Sequence, residues 1–266
     1  MRISILFVLL LSFNPAFAGL ELPHESQLAS LMLNQNDDEL YLRGVIPHSR
    51  PSSLCGPASA INWLQLENKS LSKSQQVDLL AQAASVSLAQ GTDVNQGLIE
   101  PQLVQYLKNL DQLTGRNNHY GGKGRHFGAT ELTVSDLLSS EPQILLLRYD
   151  SRPRPAQPPI GRGRSPRIGG DRDGGRDMGI PILDENEIRG FHFVLKVAAD
   201  SASQEILFID PENPGRYSRA RLEIRNNPRN QKPEVRVLPH SAKDLVSFSG
   251  GGMLIWTALS AIEKNP

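Results

Sequence analysis

The order of the expected elements argues for an α+β fold. Helical periodicity fills the first half of the chain, strand-like runs fill the second, and few βαβ alternations join them. One domain is enough for 266 residues with 39% hydrophobic content. Lys plus Arg equals Asp plus Glu at 28 each, so net charge gives no ground for expecting nucleic acid or an anionic membrane as partner.

At the start, Arg2 precedes an apolar run from Ile3 to Phe13. Asn14-Pro15 breaks the run, and Ala16-Phe17-Ala18 offers the small residues of a cleavage site. Residues 1–18 are therefore expected to be a signal peptide, and the mature chain to be periplasmic or secreted after cleavage near Ala18. The run is shorter than the roughly 20 apolar residues needed to span a bilayer, and no later stretch is long and apolar enough. Residues 19–41 read as an extension with a short helix from Gln27 to Leu33. Residues 42–263 read as the main domain, opening on a loop to Leu54.

Gly56-Pro57 announces a helix, because proline is favoured where its missing N–H has no intrahelical partner. Ser72 with Gln75 forms a capping-box pattern before a second helix running to about Ala89. A third helix is expected from Leu98 to Leu110 with Pro101 in its first turn, and a fourth from Glu131 to Leu138. Strands are then expected at Gln143–Tyr149, Phe191–Val197, Glu205–Ile209, Arg219–Ile224, Glu234–Leu238 and Met253–Leu259. Residues 151–179, dense in Arg, Pro and Gly, have no periodic apolar face and read as a disordered insertion.

No cofactor or metal is expected. Gly121-Gly122-Lys123-Gly124 lacks the spacing of a phosphate loop, and His119 and His126 have no cysteine or acidic partner nearby.

The single cysteine, Cys55, cannot form an internal disulfide, although exported chains usually pair theirs. It stands at the start of the Pro57 helix. There the helix dipole and unpaired N–H groups favour a thiolate and can hold an oxyanion. Gly56 leaves room for a substrate to approach. Of six histidines only His192 lies inside a strong strand pattern, sharing a face with Val194, Lys196 and Ala198 while Phe191, Phe193, Leu195 and Val197 take the other. The polar turn Asp200-Ser201-Ala202-Ser203 predicts an antiparallel hairpin that sets Asp210 opposite His192. A carboxylate there fixes the imidazole tautomer and steadies the imidazolium. Cys55 as nucleophile, His192 as general base and Asp210 as orienter form the expected catalytic set.

The pieces Ser53-Leu54-Cys55-Gly56-Pro57-Ala58-Ser59, Gly190-Phe191-His192-Phe193-Val194 and Phe208-Ile209-Asp210-Pro211 together resemble the papain-like cysteine peptidases. The nearest branch is that of the bacteriocin-processing (double-glycine leader) peptidases. The resemblance covers about Leu42 to Ala258. It implies a helical half carrying the nucleophile, packed on an antiparallel sheet that carries His and Asp, and hydrolysis of peptide bonds through a thioester. Members of this group also place a Gln shortly before the Cys as an oxyanion donor, whereas Val45 to Leu54 contains neither Gln nor Asn. Ser49, His48 and the Cys55 backbone N–H are the expected stand-ins, with Ser52 and Ser53 as further options.

The sequence thus predicts an exported thiol peptidase with a peptide or protein substrate. Acyl transfer or cell-wall amidase action would use the same three residues, and a non-catalytic binding module would keep the shape without the chemistry.

Overall fold

The computed structural model describes residues 22–45, 53–68, 70–124, 131–151, 187–227, 231–240 and 254–265. The expected signal peptide lies outside these residues, as does the Arg/Pro/Gly-rich segment from 152 onward. Six α-helices and one 3-10 turn (Val94–Gln96) are described: α1 (Glu25–Leu31), α2 (Asp38–Leu42), α3 (Cys55–Asn68), α4 (Lys73–Ala89), α5 (Glu100–Leu113) and α6 (Val134–Leu137). Seven strands accompany them: β1 (His119–Gly124), β2 (Gln143–Ser151), β3 (Glu187–Asp200), β4 (Glu205–Ile209), β5 (Ser218–Asn226), β6 (Pro233–Pro239) and β7 (Leu254–Asn265). Among the described residues no helix is long and apolar enough to cross a membrane.

The strands correct the expected architecture. They run β7-β2-β3-β4-β5-β6, all antiparallel, and β6 pairs back to β7 through Val235–Ala258, Arg236–Thr257 and Val237–Trp256. The result is a closed six-stranded barrel beside a group of helices. It is not a papain-like helical half laid on an antiparallel sheet. Closure satisfies the edges that an open sheet would leave unpaired. An Arg148–Glu234 pair, bonded through both guanidinium nitrogens at 3.2 and 3.3 Å, braces β2 to β6 across β7.

Alternation along β2 shows how barrel and helices share one chain. Leu145, Leu147 and Tyr149 turn into the barrel, while Ile144 and Leu146 join the core beneath the helices. A strand buried on both faces must be apolar at successive positions, which accounts for the unbroken run Ile144 to Leu147. β3 behaves likewise, with Val194 inside the barrel and Phe193 and Leu195 under the helices. A bulge between Lys196 and Ala198 then sends Val197 and Ala198 to the same core, so Ala198 leaves the face expected for it.

At the centre of the helical group is α3, buried at every position from Gly56 to Leu66. Its small residues Ala58, Ser59 and Ala60 let it lie close to β3. The expected capping box forms at Ser72 and Gln75 and opens α4. The stretch expected as an N-terminal extension adds Leu28, Met32, Leu33 and Leu40, all fully buried in this core. Asn62 of α3 holds it there, exchanging bonds of 2.6 and 3.1 Å with the Leu33 backbone. The glycine-rich stretch read as a loop is in fact β1, an added strand on the C-terminal half of β7.

Candidate active site

Cys55 is the first residue of α3 and is partly exposed. Ala58 N–H donates to Leu54 O at 2.8 Å and closes the first turn. Pro57 brings no N–H, so the Cys55 and Gly56 amides are the donors left without an intrahelical acceptor. A Cβ at Gly56 would sit 3.2 Å from Phe193 Cδ2 and 3.4 Å from Leu103. Glycine is thus what lets the start of α3 press against β3. One turn on, the Ser59 hydroxyl donates to Phe193 O at 3.4 Å. These contacts set the nucleophile candidate beside the strand carrying His192.

His192 faces the barrel side of β3 at its open end. The β3–β4 ladder stops at Leu195–Ile209, two residues off the register expected from the hairpin, because the turn falls one residue later, at 201–204, and the bulge removes only part of the resulting offset. Beyond the last rung the link is made by side chains. His192 Nε2 and Asp210 Oδ1 lie 2.8 Å apart, both residues almost wholly buried. A carboxylate only accepts, so Nε2 carries the proton and Nδ1 is the nitrogen available to the thiol. The Cys55 side chain lies close enough to His192 to act on its ionisation. Burial pushes the His192 pKa down. The Asp210 charge, the hydrogen bonds to Asp210 and Cys55, and the charge of Cys55 outweigh it and hold the imidazole above its ordinary range.

Asp210 is itself oriented. Its Oδ1 also accepts the Glu212 N–H at 2.9 Å, and its carbonyl accepts the Asn213 N–H at 2.9 Å, a turn stiffened by Pro211. Asn34 and Gln35 clamp that turn from the N-terminal segment. Asn34 Nδ2 donates to Glu212 O at 3.1 Å and Gln35 N–H donates to Pro211 O at 2.8 Å. Trp256 from β7 neighbours the imidazole, ring centres 6.3 Å apart and tilted by 60°.

The three expected catalytic residues are therefore brought together. His48 and Ser49, expected as oxyanion donors, lie outside the described residues, as do Ser52 and His126. The other described histidines have different surroundings: His24 caps α1, His119 opens β1, and His240 pairs with Glu205 at 3.0 Å. Glu212, Trp256, Asn34 and Gln35 were not singled out from the sequence. Only Glu212 carried a local signal, its place in the Asp-Pro turn; the others arrive through pairings distant in the chain.

His192, Asp210 and Glu212 also have ligand atoms within 4.8 Å of one another, a spacing a metal ion could bridge. A metal at Nε2 would have to displace the 2.8 Å bond to Asp210, and the same Asp210 oxygen is already held by the Glu212 amide. Asp210 Oδ1 is thus taken up by His192 and the Glu212 amide, while Asp210 Oδ2 is buried with no hydrogen-bond partner among the described residues. Burial and the Asp210 charge raise the Glu212 pKa, while His192 lowers it.

No family model matches the chain, and no curated protein matches it in sequence.

Proposed function

We propose that this chain is a thiol hydrolase, an exported cysteine peptidase acting on peptide bonds through a thioester. The observation that carries the reading is the 2.8 Å contact of a buried imidazole with a buried carboxylate, beside a cysteine at a helix start that acts on the same ring. His192 takes the Cys55 proton, and Asp210 steadies the imidazolium. The sulfur attacks the carbonyl carbon, and the new oxyanion is met by the Cys55 and Gly56 amides. His192 next protonates the leaving amine, and water hydrolyses the thioester with the same histidine as base. The N-terminal apolar run with its small-residue cleavage site supports export. Iodoacetamide should label Cys55 faster in the folded chain than in the urea-unfolded chain. Cys55→Ala should lower peptide hydrolysis on the order of a thousandfold or more. Equal labelling rates, or a Cys55→Ala chain with full activity, would overturn the reading.

A further inference from the structure

Tyr149 of β2 stands directly across from Gly190 of β3. A Cβ at Gly190 would collide with the Tyr149 hydroxyl, so the hydroxyl end of the ring rests on the glycine. Gly190 precedes His192 by two residues on the same inward face of β3. At this level β3 has no β4 beside it, since the ladder ends at Leu195–Ile209. That unpaired stretch is where Asp210 and Cys55 meet His192. The Tyr149 ring lies 5.1 Å from Trp256, whose centre is 6.3 Å from His192, so one indole neighbours both rings. Burial raises the Tyr149 pKa, and the charges of Cys55 and Glu212 add to it. The phenol therefore stays protonated through the neutral range.

We propose that the Tyr149 hydroxyl is a catalytic hydrogen-bond donor, holding the carbonyl oxygen of the scissile bond as the Cys55 sulfur attacks. This rests on the thiol-hydrolase reading. In the step concerned, a sulfur lone pair forms the C–S bond and the carbonyl π pair moves onto oxygen. That oxyanion is the group that needs donors, and the start of α3 offers only two amides because Pro57 has none. The phenol resting on Gly190, two residues from His192 at the same end of the barrel, is the side-chain donor offered as a third. When the tetrahedral species collapses, the pair returns to the carbon and the leaving group departs with its bonding electrons.

Two reagents separate this role from a structural one. p-Nitrophenyl acetate acylates Cys55 through an oxyanion, whereas iodoacetamide alkylates it by displacement with none. Tyr149→Phe should slow acylation about a hundredfold and leave alkylation unchanged. Gly190→Ala keeps the phenol but pushes it off the glycine, and should give the same selective loss. Acylation unaffected in both variants, or acylation and alkylation falling together, overturns the proposal; in the second case Tyr149 acts on the sulfur and not on the carbonyl oxygen. A wild-type thiol that alkylates no faster than the unfolded chain sinks the hydrolase reading itself, and that outcome is read before any variant is made.

Discussion

Asp210 does more than face an imidazole. Its carboxylate is the largest influence raising the His192 pKa against the burial that lowers it. Asp210→Asn keeps the shape but removes the charge, so the imidazolium loses its main support and its pKa falls. The basic limb of the alkylation profile, where the imidazolium is lost, should then move to lower pH, and the His192 ring proton followed by NMR should titrate lower as well. An unchanged basic limb would show that His192 is not the group that titrates. The same shift has a sign for folding. A histidine whose folded pKa lies above its unfolded value of about 6.5 stabilises the fold fully below that value and loses the contribution as pH climbs through the raised one.

At the scale of elements, α3 and β3 act as a pair, and Gly56 is a point where they press together. Its neighbours, Phe193 and Leu103, are buried in the same core, so neither can swing away freely. Gly56→Val should overpack this contact and cost about 1–3 kcal/mol, read as a lower urea midpoint, and it should slow Cys55 labelling by lifting the thiol from His192. Full labelling in a destabilised variant would mean that the helix start is not held by this contact. The local signals for these elements were plain in the sequence: Pro57 for α3, Ser72 with Gln75 for α4, alternation for β3, and β-rich composition for β4. Cys55, His192 and Asp210 were legible because a helix start and a hairpin are short-range features. The Asn34 and Gln35 clamp was not, since a backbone contact with Pro211 leaves no local pattern. Closure was hidden for a related reason. Glu234-Val235-Arg236-Val237 alternates as any half-buried strand does, and whether its free edge meets β7 or solvent depends on a partner at the chain's far end. β1 was missed because Gly121, Gly122 and Gly124 mask a strand whose pairing is supplied entirely by β7.

For the molecule as a whole, the barrel has two unlike ends. One carries the candidate site; roughly 13 Å along β3, on the same inward face, lies Lys196, fully buried. Its Nζ donates to Ser139 O at 2.5 Å and to Gln143 Oε1 at 2.9 Å. Gln143 in turn donates to Asp136 O and to Glu263 Oε2, both at 3.1 Å, and Lys123 bonds Asp136 at 2.9 Å. This network ties α6 across the barrel end. Burial lowers the Lys196 pKa from 10.5 to about 7, with Glu263 and then Glu141 pulling it back up. Lys123 is raised and Asp136 lowered, which moves both away from the window between those two values. Within that window the unfolded chain holds a proton on Lys196 that the folded chain has given up, so the amine makes stability rise with pH, by at most about 1.4 kcal/mol per pH unit. Below about 7 its cost is complete and constant. His192 works in the opposite direction over an overlapping range, so the readout is the difference between two chains and not the slope of one. Urea midpoints of the wild type and Lys196→Met, taken from pH 6 to about 10, should diverge at the acid end in favour of the methionine chain and converge or cross as pH rises. Parallel curves would mean that Lys196 stays charged inside the barrel, its proton held by Ser139, Gln143 and Glu263 against the cost of burial.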